Sequence, residues 1–378
     1  MLFFLNIYYT PNTANTNRLL GYYSAIDKMK IDAKIVYLMP QNKGETPPSN
    51  YKYVKNLQIL KGRLPKLSIV RLLLFRCALW RFLKLLKEGD VVYTYGVNQA
   101  TKAVLSRKGV RCYCERTEHP IVKTSGRLIG LKESEKMQIM KKMDGLFVIS
   151  NTLKDYFISE GFNPNQIHVI NMIVDPSRFK SIEKQKVDCR YIAYCGTALN
   201  SKDGVDELIK AFAIVAKKIS DVKLYIIGQT PDKDDFARNM KLIESLQLKD
   251  RVVFTGKISA DIIPQLLKNA EVLALDRPDS IQAQCGFPTK LGEYLLTENP
   301  VVVTKVGDIP RFLKDGESAL LAEERNAEDF SSKLIWVLEH PSEAKIIGEC
   351  GKTVALKFFN NENEAKKLIS VMLPHALF

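Results

Sequence analysis

Short apolar runs alternate with segments of helical periodicity along most of this chain, and this alternation limits the folds that the sequence can adopt. Runs rich in β-branched and aromatic residues predict strands. In the first half of the chain the predicted strands are LFFLNIYY, AKIVYLM, DVVYTYG, VRCYCE, GLFVIS and IHVIN. Because helical segments separate them, the pattern predicts a parallel, doubly wound α/β sheet.

A polar stretch near the middle of the chain, NMIVDPSRFKSIEKQKVD, separates two series of strands and helices. The strands predicted after it are RYIAYCG, VKLYIIG, RVVFTG, EVLALD and PVVVT. The chain has 378 residues, more than one domain usually contains. We therefore expect an N-terminal Rossmann-like domain at residues 1–175, a linker at 176–189, a C-terminal Rossmann-like domain at 190–360, and a C-terminal helix at 361–378 that can return to the N-terminal domain.

The chain is basic, with 56 Lys and Arg against 42 Asp and Glu and a formal net charge of +14. This charge favours an anionic partner such as a phosphorylated small molecule or a membrane, although a basic protein without a special partner is an alternative. No nucleic-acid-binding motif occurs, so we expect no nucleic-acid partner. The seven scattered cysteines lack the spacing of redox or zinc sites, which predicts free thiols in a reducing compartment. Since no apolar run is long enough to span a membrane, we expect a cytoplasmic protein, or one that is peripheral on the cytoplasmic face of the plasma membrane.

The segment CGFPTKLGEYLL has the features of an anion-binding helix entrance. Gly286 allows close approach of the backbone to a ligand, and Pro288 suits a first helical turn. Thr289 adds a hydroxyl and Lys290 a charge, so the entrance suits a diphosphate. Glu293 lies on the same helical face, where a carboxylate can accept hydrogen bonds from ribose hydroxyls. The alternative is that Glu293 is a helix-surface residue that supports Lys290 electrostatically.

A second candidate for phosphate binding follows the strand RYIAYCG. Gly196 ends that strand, and Lys202 stands just before the next helix, where a cation suits phosphate. The alternatives are that Lys202 is an ordinary solvated turn lysine and that Gly196 simply terminates the strand.

Several segments in the second half resemble, in order, the donor half of glycosyltransferase family 4, over about residues 190–360: GTALNSKDGVDELIKAF, LYIIGQ, RVVFTGKIS, GFPTKLGEYLLTENPVVVT and VGDIPRFLKDGESALL. The resemblance implies the α/β GT-B fold, in which two Rossmann-like doubly wound domains flank an interdomain cleft. It further implies that the C-terminal domain binds a nucleotide sugar and the N-terminal domain the acceptor. Transfer with retention of configuration, without a metal or another cofactor, is also implied.

By position, Lys202 matches the family's diphosphate-binding lysine, and Glu293 matches the second Glu of its Glu-seven residues-Glu motif, which binds ribose. Two positions depart from the pattern. Cys285 stands where the first Glu of that motif would be, and Thr197 stands where many members carry a diphosphate-binding Arg. Gly256 resembles the position where a loop passes the nucleotide base, or it is a simple strand-end glycine. The expected donor site comprises Gly196, Thr197, Lys202, Gly256, Cys285, Gly286, Phe287, Pro288, Thr289, Lys290 and Glu293.

Polar residues that follow two predicted strands of the first half are candidates for the acceptor side or the cleft. Arg18 lies in TPNTANTNRL, where it can approach phosphate from across the cleft or serve as a surface cap or salt-bridge residue. Glu118 and His119 lie in RTEHPIVKTSG. Because an imidazole titrates near neutral pH, His119 is a candidate catalytic residue that contacts the donor sugar or assists proton movement. A structural loop histidine is the alternative.

Residues 63–87 contain seven basic residues and no acidic residue, interspersed with Leu, Phe and Trp. This composition predicts a basic amphipathic helix that can lie on an anionic membrane surface. The alternative is a Rossmann helix that packs on its sheet and carries basic residues at its rim.

The resemblance, together with these features, implies a retaining glycosyltransferase that moves a sugar from a nucleotide-diphosphate sugar to a hydroxyl of a glycan or lipid-linked saccharide, in bacterial cell-surface polysaccharide synthesis. The departures at Cys285 and Thr197 keep open a noncatalytic or weakly active GT-B-like partner protein that binds a nucleotide sugar. A sugar-nucleotide epimerase fits the fold but not the basic helix. A dehydrogenase is disfavoured because the glycine fingerprint is missing.

Overall fold

The computed structural model describes residues 1–11, 13–39, 51–53, 68–121, 131–230 and 232–376. The chain divides into two compact units. One consists of Met1–Asn171 with Asn361–Phe378, and the other of Met172–Asn360. Among the described helices, none has the length and apolar character needed to cross a membrane.

The N-terminal unit is built on a parallel sheet with six described strands. In chain order these are β1 (Leu2–Asn6), β2 (Ala33–Tyr37), β3 (Val91–Tyr95), β4 (Arg111–Arg116), β5 (Gly145–Val148) and β6 (Ile167–Val169). They lie in the order β2-β1-β3-β4-β5-β6, so the winding direction reverses between β1 and β3. Most of their side chains are buried, as expected for a parallel sheet covered on both faces.

The helices described between these strands are α1 (Ala14–Lys28), α2 (Ser68–Leu85), α3 (Gln99–Val104), α4 (Glu133–Met140) and α5 (Asn151–Ser159). Polar side chains fix where several of them begin. Thr13 accepts a hydrogen bond from the backbone N–H of Thr16 at the start of α1, at 3.3 Å. Ser150 does the same for Leu153 at the start of α5, at 3.1 Å. Such caps satisfy N–H groups that have no partner within the helix.

The C-terminal unit has a second parallel sheet, also with six described strands. Its strands are β7 (Arg190–Cys195), β8 (Val222–Ile227), β9 (Val252–Gly256), β10 (Val272–Leu275), β11 (Val301–Thr304) and β12 (Leu320–Ala322). Their order is β12-β11-β10-β7-β8-β9, so the winding direction reverses at β7, between β8 and β10. Ligands of such sheets bind outside the carboxyl ends of the strands near this reversal.

The helices described around the second sheet are α6 (Asn200–Asp203), α7 (Val205–Lys218), α8 (Lys233–Ser245), α9 (Ile263–Asn269), α10 (Ile281–Cys285), α11 (Thr289–Leu296), α12 (Ile309–Phe312), α13 (Ala327–Glu339) and α14 (Pro341–Phe358). Helix α7 buries Leu208, Ile209 and Phe212, which recur at helical spacing. The predicted fold class, two Rossmann-like doubly wound α/β domains, is therefore confirmed.

The last described helix, α15 (Asn361–Met372), belongs to the N-terminal unit and packs against α1. The buried carboxylate of Glu364 accepts a hydrogen bond from the backbone N–H of Asn171 at 2.8 Å. On the surface, Lys28 forms an ion pair with Glu362 at 2.6 Å. The N-terminal unit is thus completed by the C-terminal end of the chain.

Candidate functional site

The candidate donor site lies at the carboxyl edge of the second sheet, where the end of β7 meets helix α11. The Tyr294 hydroxyl accepts a hydrogen bond from the backbone N–H of Cys195 at 2.5 Å and donates one to its carbonyl oxygen at 3.2 Å. Tyr294 is fully buried. This tyrosine therefore fixes the first turns of α11 against the end of β7 and positions the residues on either side.

Two glycines bring the loops after β7 and β8 into direct backbone contact. Gly196 has φ 156° and Gly228 has φ 124°, in the region that favours glycine. A Cβ atom on Gly228 would lie 2.1 Å from the carbonyl oxygen of Gly196, and a Cβ on Gly196 would lie 2.4 Å from Nζ of Lys290. Gly196 therefore does more than end a strand, because it makes room for the Lys290 side chain.

The Lys290 side chain is bonded to two other side chains of the C-terminal unit. Its Nζ lies 2.5 Å from Oδ2 of Asp203 and donates a hydrogen bond to the Tyr194 hydroxyl at 2.9 Å. Burial raises the pKa of Asp203, but Lys290 and the Tyr194 hydroxyl outweigh it and hold that pKa below its usual value. The addition of a charge by Lys290 to a diphosphate site stays a prediction, and in the structure a buried carboxylate already balances the charge of its ammonium group.

Lys202 lies beside this cluster, in the four-residue helix α6 that also carries Asp203. Its side chain is half-buried. The start of α6 is tied to α8 by the backbone N–H of Asn200, which donates to Asp235 at 3.0 Å. Lys202 therefore sits at the expected edge of the sheet, next to the Lys290–Asp203 pair.

Helix α11 starts where the sequence predicts a helix entrance, and two details differ from the prediction. Thr289 is the exposed first residue of the helix, and no side chain within the described part of the chain caps it. Backbone N–H groups in a first helical turn lack intrahelical acceptors and attract anions. Pro288 precedes the first turn as the N-cap instead of lying within it. Gly286 has φ −90° and ψ 175°, an extended conformation that any residue adopts, so its backbone does not require glycine.

Glu293 lies one turn deeper in α11 and forms an ion pair with Arg178. Arg178 belongs to a 3₁₀ turn, Pro176–Phe179, and also donates to the carbonyl oxygen of Ala260 at 3.4 Å. Burial raises the pKa of Glu293, and Arg178 opposes this shift. Residue 178 falls within the predicted linker, so sequence reasoning missed its role. The Asp-Pro turn was visible in the sequence, but no local pattern connected Arg178 with a carboxylate so far along the chain.

Two residues expected to contact the donor are buried. The ring of Phe287 packs 5.6 Å from that of Phe312 and 5.3 Å from that of Phe359, between ring centroids. Cys285 ends α10, and burial followed by the Asp308 carboxylate raises the pKa of its thiol. The structure thus places Phe287 in an aromatic cluster under the helix entrance, where its role is packing.

Thr197 and Gly256 remain at the exposed edge of the sheet. Thr197 directly follows Gly196. Gly256 ends β9 with φ 65°, and a Cβ atom on it would have no described atom within 4 Å. The backbone N–H of Gly228 donates to Oγ1 of Thr255 at 3.1 Å, which joins the ends of β8 and β9. The strand ends that carry these candidates therefore lie side by side.

In the N-terminal unit, Arg18 does not lie in an exposed loop. Thr13 caps α1, so Arg18 falls within that helix and faces the sheet. Its Nε and Nη2 donate to Oε1 of the fully buried Glu115 at 2.9 and 2.6 Å, and Nη2 also donates to the carbonyl oxygen of Ile170 at 2.9 Å. Burial lowers the pKa of Arg18, but Glu115 outweighs it and raises the pKa overall. The expectation that Arg18 approaches a phosphate is corrected, because this guanidinium is committed to an internal ion pair.

Glu118 and His119 follow β4 and are half-buried. The Nδ1 atom of His119 accepts a hydrogen bond from the backbone N–H of Ile121 at 3.2 Å, and its ring lies 4.1 Å from that of Tyr156. Burial, together with Arg116, lowers the pKa of His119. The imidazole is therefore neutral at neutral pH and carries its proton on Nε2, which can donate a hydrogen bond.

No metal centre can be assembled from the described residues, which contain no suitably arranged group of three or more His, Cys, Asp and Glu side chains. The site thus consists of a helix start, Lys202, the ion pair of Glu293 with Arg178, and the Lys290–Asp203 pair. This arrangement can hold an anionic group beside a hydrogen-bond acceptor for hydroxyls.

Sequence comparison relates this chain to glycosyltransferases. Residues 177–354 match the family described as "Glycosyl transferases group 1". The MMP alpha-(1->4)-mannosyltransferase of Mycolicibacterium hassiacum is 26% identical over 246 residues, which are 65% of this chain and 57% of that protein. The matches with two further relatives cover 39% and 58% of the lengths of those proteins. The chain therefore spans about half the length of these first three relatives. The putative colanic acid biosynthesis glycosyltransferase WcaL of Salmonella typhimurium is 23% identical over 93% of this chain and 88% of its own length.

Comparison with solved structures supports the same fold. The structure of Anabaena HepE in complex with UDP and glucose superposes with a TM-score of 0.70 over 98% of both chains, at 15% identity. At this identity the likeness concerns the fold alone, which is GT-B with two Rossmann-like domains. Residues 177–354 of this GT-B scaffold, within the C-terminal unit, match the glycosyl transferases group 1 family.

Proposed function

We propose that this protein is a retaining glycosyltransferase that moves a sugar from a nucleotide-diphosphate donor to a hydroxyl of a glycan or lipid-linked saccharide. The observation that carries the proposal is the convergence of the α11 start, Lys202 and Glu293 at the carboxyl edge of β7, within the unit that matches the family.

The start of α11 and Lys202 suit the diphosphate of the donor, because uncapped N–H groups and a cation both attract phosphate oxygens. Glu293 suits the ribose hydroxyls as a hydrogen-bond acceptor. Burial raises the pKa of Glu293, and Arg178 opposes this shift and so favours the ionised carboxylate that the task requires. HepE, whose structure was solved with UDP and glucose, supports a nucleotide sugar as the class of donor.

Catalysis follows from stabilising the leaving group. When the bond between the anomeric carbon and the diphosphate oxygen breaks, negative charge develops on that oxygen. The fixed dipole of α11 and Lys202 stabilise this charge without reorganising. The acceptor hydroxyl forms the new bond on the same face, and its proton passes to the departing diphosphate. We assign Lys290 a positioning role because Asp203 neutralises it.

The acceptor side of the proposal rests on the N-terminal unit. His119 is neutral and can donate its Nε2 proton to a sugar oxygen, with Glu118 beside it. The WcaL relative, whose name refers to colanic acid biosynthesis, supports a role in cell-surface polysaccharide synthesis. The proposal includes no metal, no other cofactor, and a location in the cytoplasm or on the inner face of the plasma membrane.

A transfer assay tests the proposal directly. The purified chain is incubated with UDP-, GDP-, ADP- and TDP-sugars and with glycan and lipid-linked acceptors, with EDTA present in one arm. We expect release of nucleoside diphosphate together with a new glycoside whose anomeric configuration matches the donor, and loss of both in Glu293→Gln and Lys202→Ala. Inversion of configuration would reject the retaining mechanism, and EDTA-sensitive transfer would reject metal independence.

A second candidate function is a noncatalytic nucleotide-sugar-binding partner. Two observations favour it. Thr197 stands where many members of the family carry an arginine, and the Asp203 carboxylate balances the charge of Lys290. Binding of a donor without transfer to any acceptor, followed by transfer only when another subunit is added, would support this candidate and reject the first.

A further inference from the structure

Helix α2 of the N-terminal unit has a buried face and an exposed face, and both carry large apolar side chains. Phe75, Ala78 and Phe82 are buried, and the Phe82 ring packs edge-on against Phe3 at 5.5 Å between centroids. This contact explains why the helix adheres to its sheet. The predicted segment 63–87 begins earlier, but residues 63–67 lie outside the described residues.

The outward face exposes apolar side chains that the core does not use. Ile69, Leu73 and Trp80 are 68%, 56% and 57% exposed. They are spaced by four and seven residues, so they form one stripe along the helix. Single exposed apolar residues are ordinary on protein surfaces, but a stripe of large side chains that includes tryptophan indicates an interaction surface.

Basic side chains border this stripe. Arg76, Arg81, Lys84 and Lys87 are exposed, and within the described part of the chain none of them has an ion-pair partner. Lys84 lies over the Trp80 ring, with Nζ 3.7 Å from its centroid. The described residues 68–87 include no acidic side chain. The surface therefore combines positive charge and exposed apolar groups on one helical face.

We propose that the exposed face of α2 docks this protein on an anionic lipid membrane. The aliphatic side chains and Trp80 enter the interface, where tryptophan is favoured, while the basic side chains contact anionic headgroups. A second copy of the chain is a poorer occupant, because a symmetric contact would bring the same positive charges together. Nucleic acid would engage the charges but leave Ile69 and Leu73 without a role.

The docking surface goes beyond the transfer reaction, and it gives the proposed function access to a lipid-linked acceptor. That consequence rests on the proposed function, whereas docking itself does not. Membrane binding is measured without donor or acceptor, and donor binding is measured without membrane. Failure of one therefore does not imply failure of the other.

The test is co-sedimentation of the full chain with sucrose-loaded vesicles of phosphatidylcholine alone or mixed with phosphatidylglycerol, at low and high salt. We expect binding to the mixed vesicles that weakens with salt, and little binding to phosphatidylcholine. An Arg76→Glu, Lys84→Glu variant should bind at least about tenfold more weakly, because each basic residue near an anionic surface contributes severalfold to affinity. A Leu73→Ser, Trp80→Ala variant should also bind more weakly, since the apolar contribution is lost.

Matched controls lie on the C-terminal unit. Lys314→Glu with Lys345→Glu changes the net charge by the same amount at exposed positions, and Ile346→Ser removes an apolar side chain that is 61% exposed. Both controls should bind vesicles like the unaltered chain. All variants should keep the thermal unfolding midpoint of the unaltered chain without added ligand to within a few degrees, which shows that the fold is intact.

Several results would overturn the proposal. One is that the unaltered chain stays in the supernatant with anionic vesicles, and another is that the α2 variants and the control variants bind equally. Binding of single-stranded nucleic acid in place of vesicles, lost in the Arg76→Glu, Lys84→Glu variant, would assign the surface to nucleic acid. A concentration-dependent dimer abolished by Leu73→Ser, Trp80→Ala, without vesicle binding, would assign it to a second copy.

Discussion

The ammonium group of Lys290 lies 2.5 Å from the Asp203 carboxylate, although the two residues are 87 positions apart in the sequence. Both side chains are largely buried, and the Tyr194 hydroxyl bonds to each of them. The pair joins the first turn of α11 to helix α6, which carries Lys202. An internal salt bridge therefore fixes the distance between the two predicted phosphate-binding elements.

Replacing Asp203 by Asn should destabilise the protein, because it leaves the buried Lys290 charge without a counter-ion. We expect the free energy of unfolding to fall by roughly 3 kcal/mol in urea titrations. Lys290→Met added to Asp203→Asn should recover part of this loss, since no uncompensated charge remains. If Asp203→Asn leaves stability unchanged and abolishes only donor binding, the pair is not structural.

Removing Arg178 should weaken donor binding through Glu293. Without the guanidinium, burial would raise the pKa of Glu293 further and favour the protonated form, which is a poorer acceptor for ribose hydroxyls. We expect Arg178→Ala to raise the dissociation constant for a nucleotide sugar about tenfold, in line with the loss of a charged hydrogen-bond partner. Calorimetric titration with the donor measures this change.

Arg190→Ala is the matched control for this substitution. Arg190 is also 38% exposed at its side chain, pairs with a carboxylate (Asp221), and bonds a carbonyl oxygen (Leu338) at 3.4 Å. Its removal should leave donor affinity unchanged. Equal effects of the two substitutions would show that the loss is not specific to Glu293.

Most of the sheet architecture was predictable because its strands are buried runs rich in β-branched and aromatic residues. The exception is β12, Leu320–Ala322, whose short run of leucine and alanine lacks the β-branched and aromatic residues that mark the other strands. The placement of Thr289 and Glu293 on one helix was predictable because their spacing is local. The fold and the helix entrance are therefore encoded by short-range patterns.

The ion pairs of the site were not predictable in the same way. Lys290–Asp203 and Arg178–Glu293 connect residues 87 and 115 positions apart, and only the folded sheet brings them together. Arg18 was predicted to lie in a polar loop, and the reason for this error is local. The segment TPNTANTN has the composition of a loop, yet the Thr13 cap starts α1 at Ala14 and turns Arg18 towards the buried Glu115.

The contact between the loops after β7 and β8 should tolerate no side chain at Gly228. Its φ of 124° disfavours other residues, and a Cβ would lie 2.1 Å from the Gly196 carbonyl oxygen. Gly256 is a matched control, because it has φ 65° at the end of β9 but no neighbouring described atom within 4 Å of a Cβ. We expect Gly228→Ala to lower the free energy of unfolding by at least about 2 kcal/mol more than Gly256→Ala does, as measured by urea denaturation. Similar costs for both would mean that the loops can separate freely.

The Asp276 carboxyl group, which directly follows β10, should make stability depend on pH. Asp276 is 3% exposed, and burial, with Glu207 and Asp206 nearby, raises its pKa to about 8. The folded state thus keeps a proton that the unfolded chain releases near the ordinary pKa of about 4. The stabilisation is complete below that value and is lost as the pH rises through about 8.

Asp276→Asn should therefore flatten the pH dependence. An amide resembles the protonated carboxyl in shape and has no charge to desolvate, so the variant should be similar in stability to the unaltered chain near pH about 4 and increasingly more stable than it as the pH rises towards about 8. Urea titrations at several pH values between about 4 and about 9 measure the difference. Asp221→Asn, at an exposed carboxylate paired with Arg190, is the control and should leave the slope between these pH values unchanged. An unchanged slope in Asp276→Asn would show that this carboxyl is already ionised in the folded protein at neutral pH.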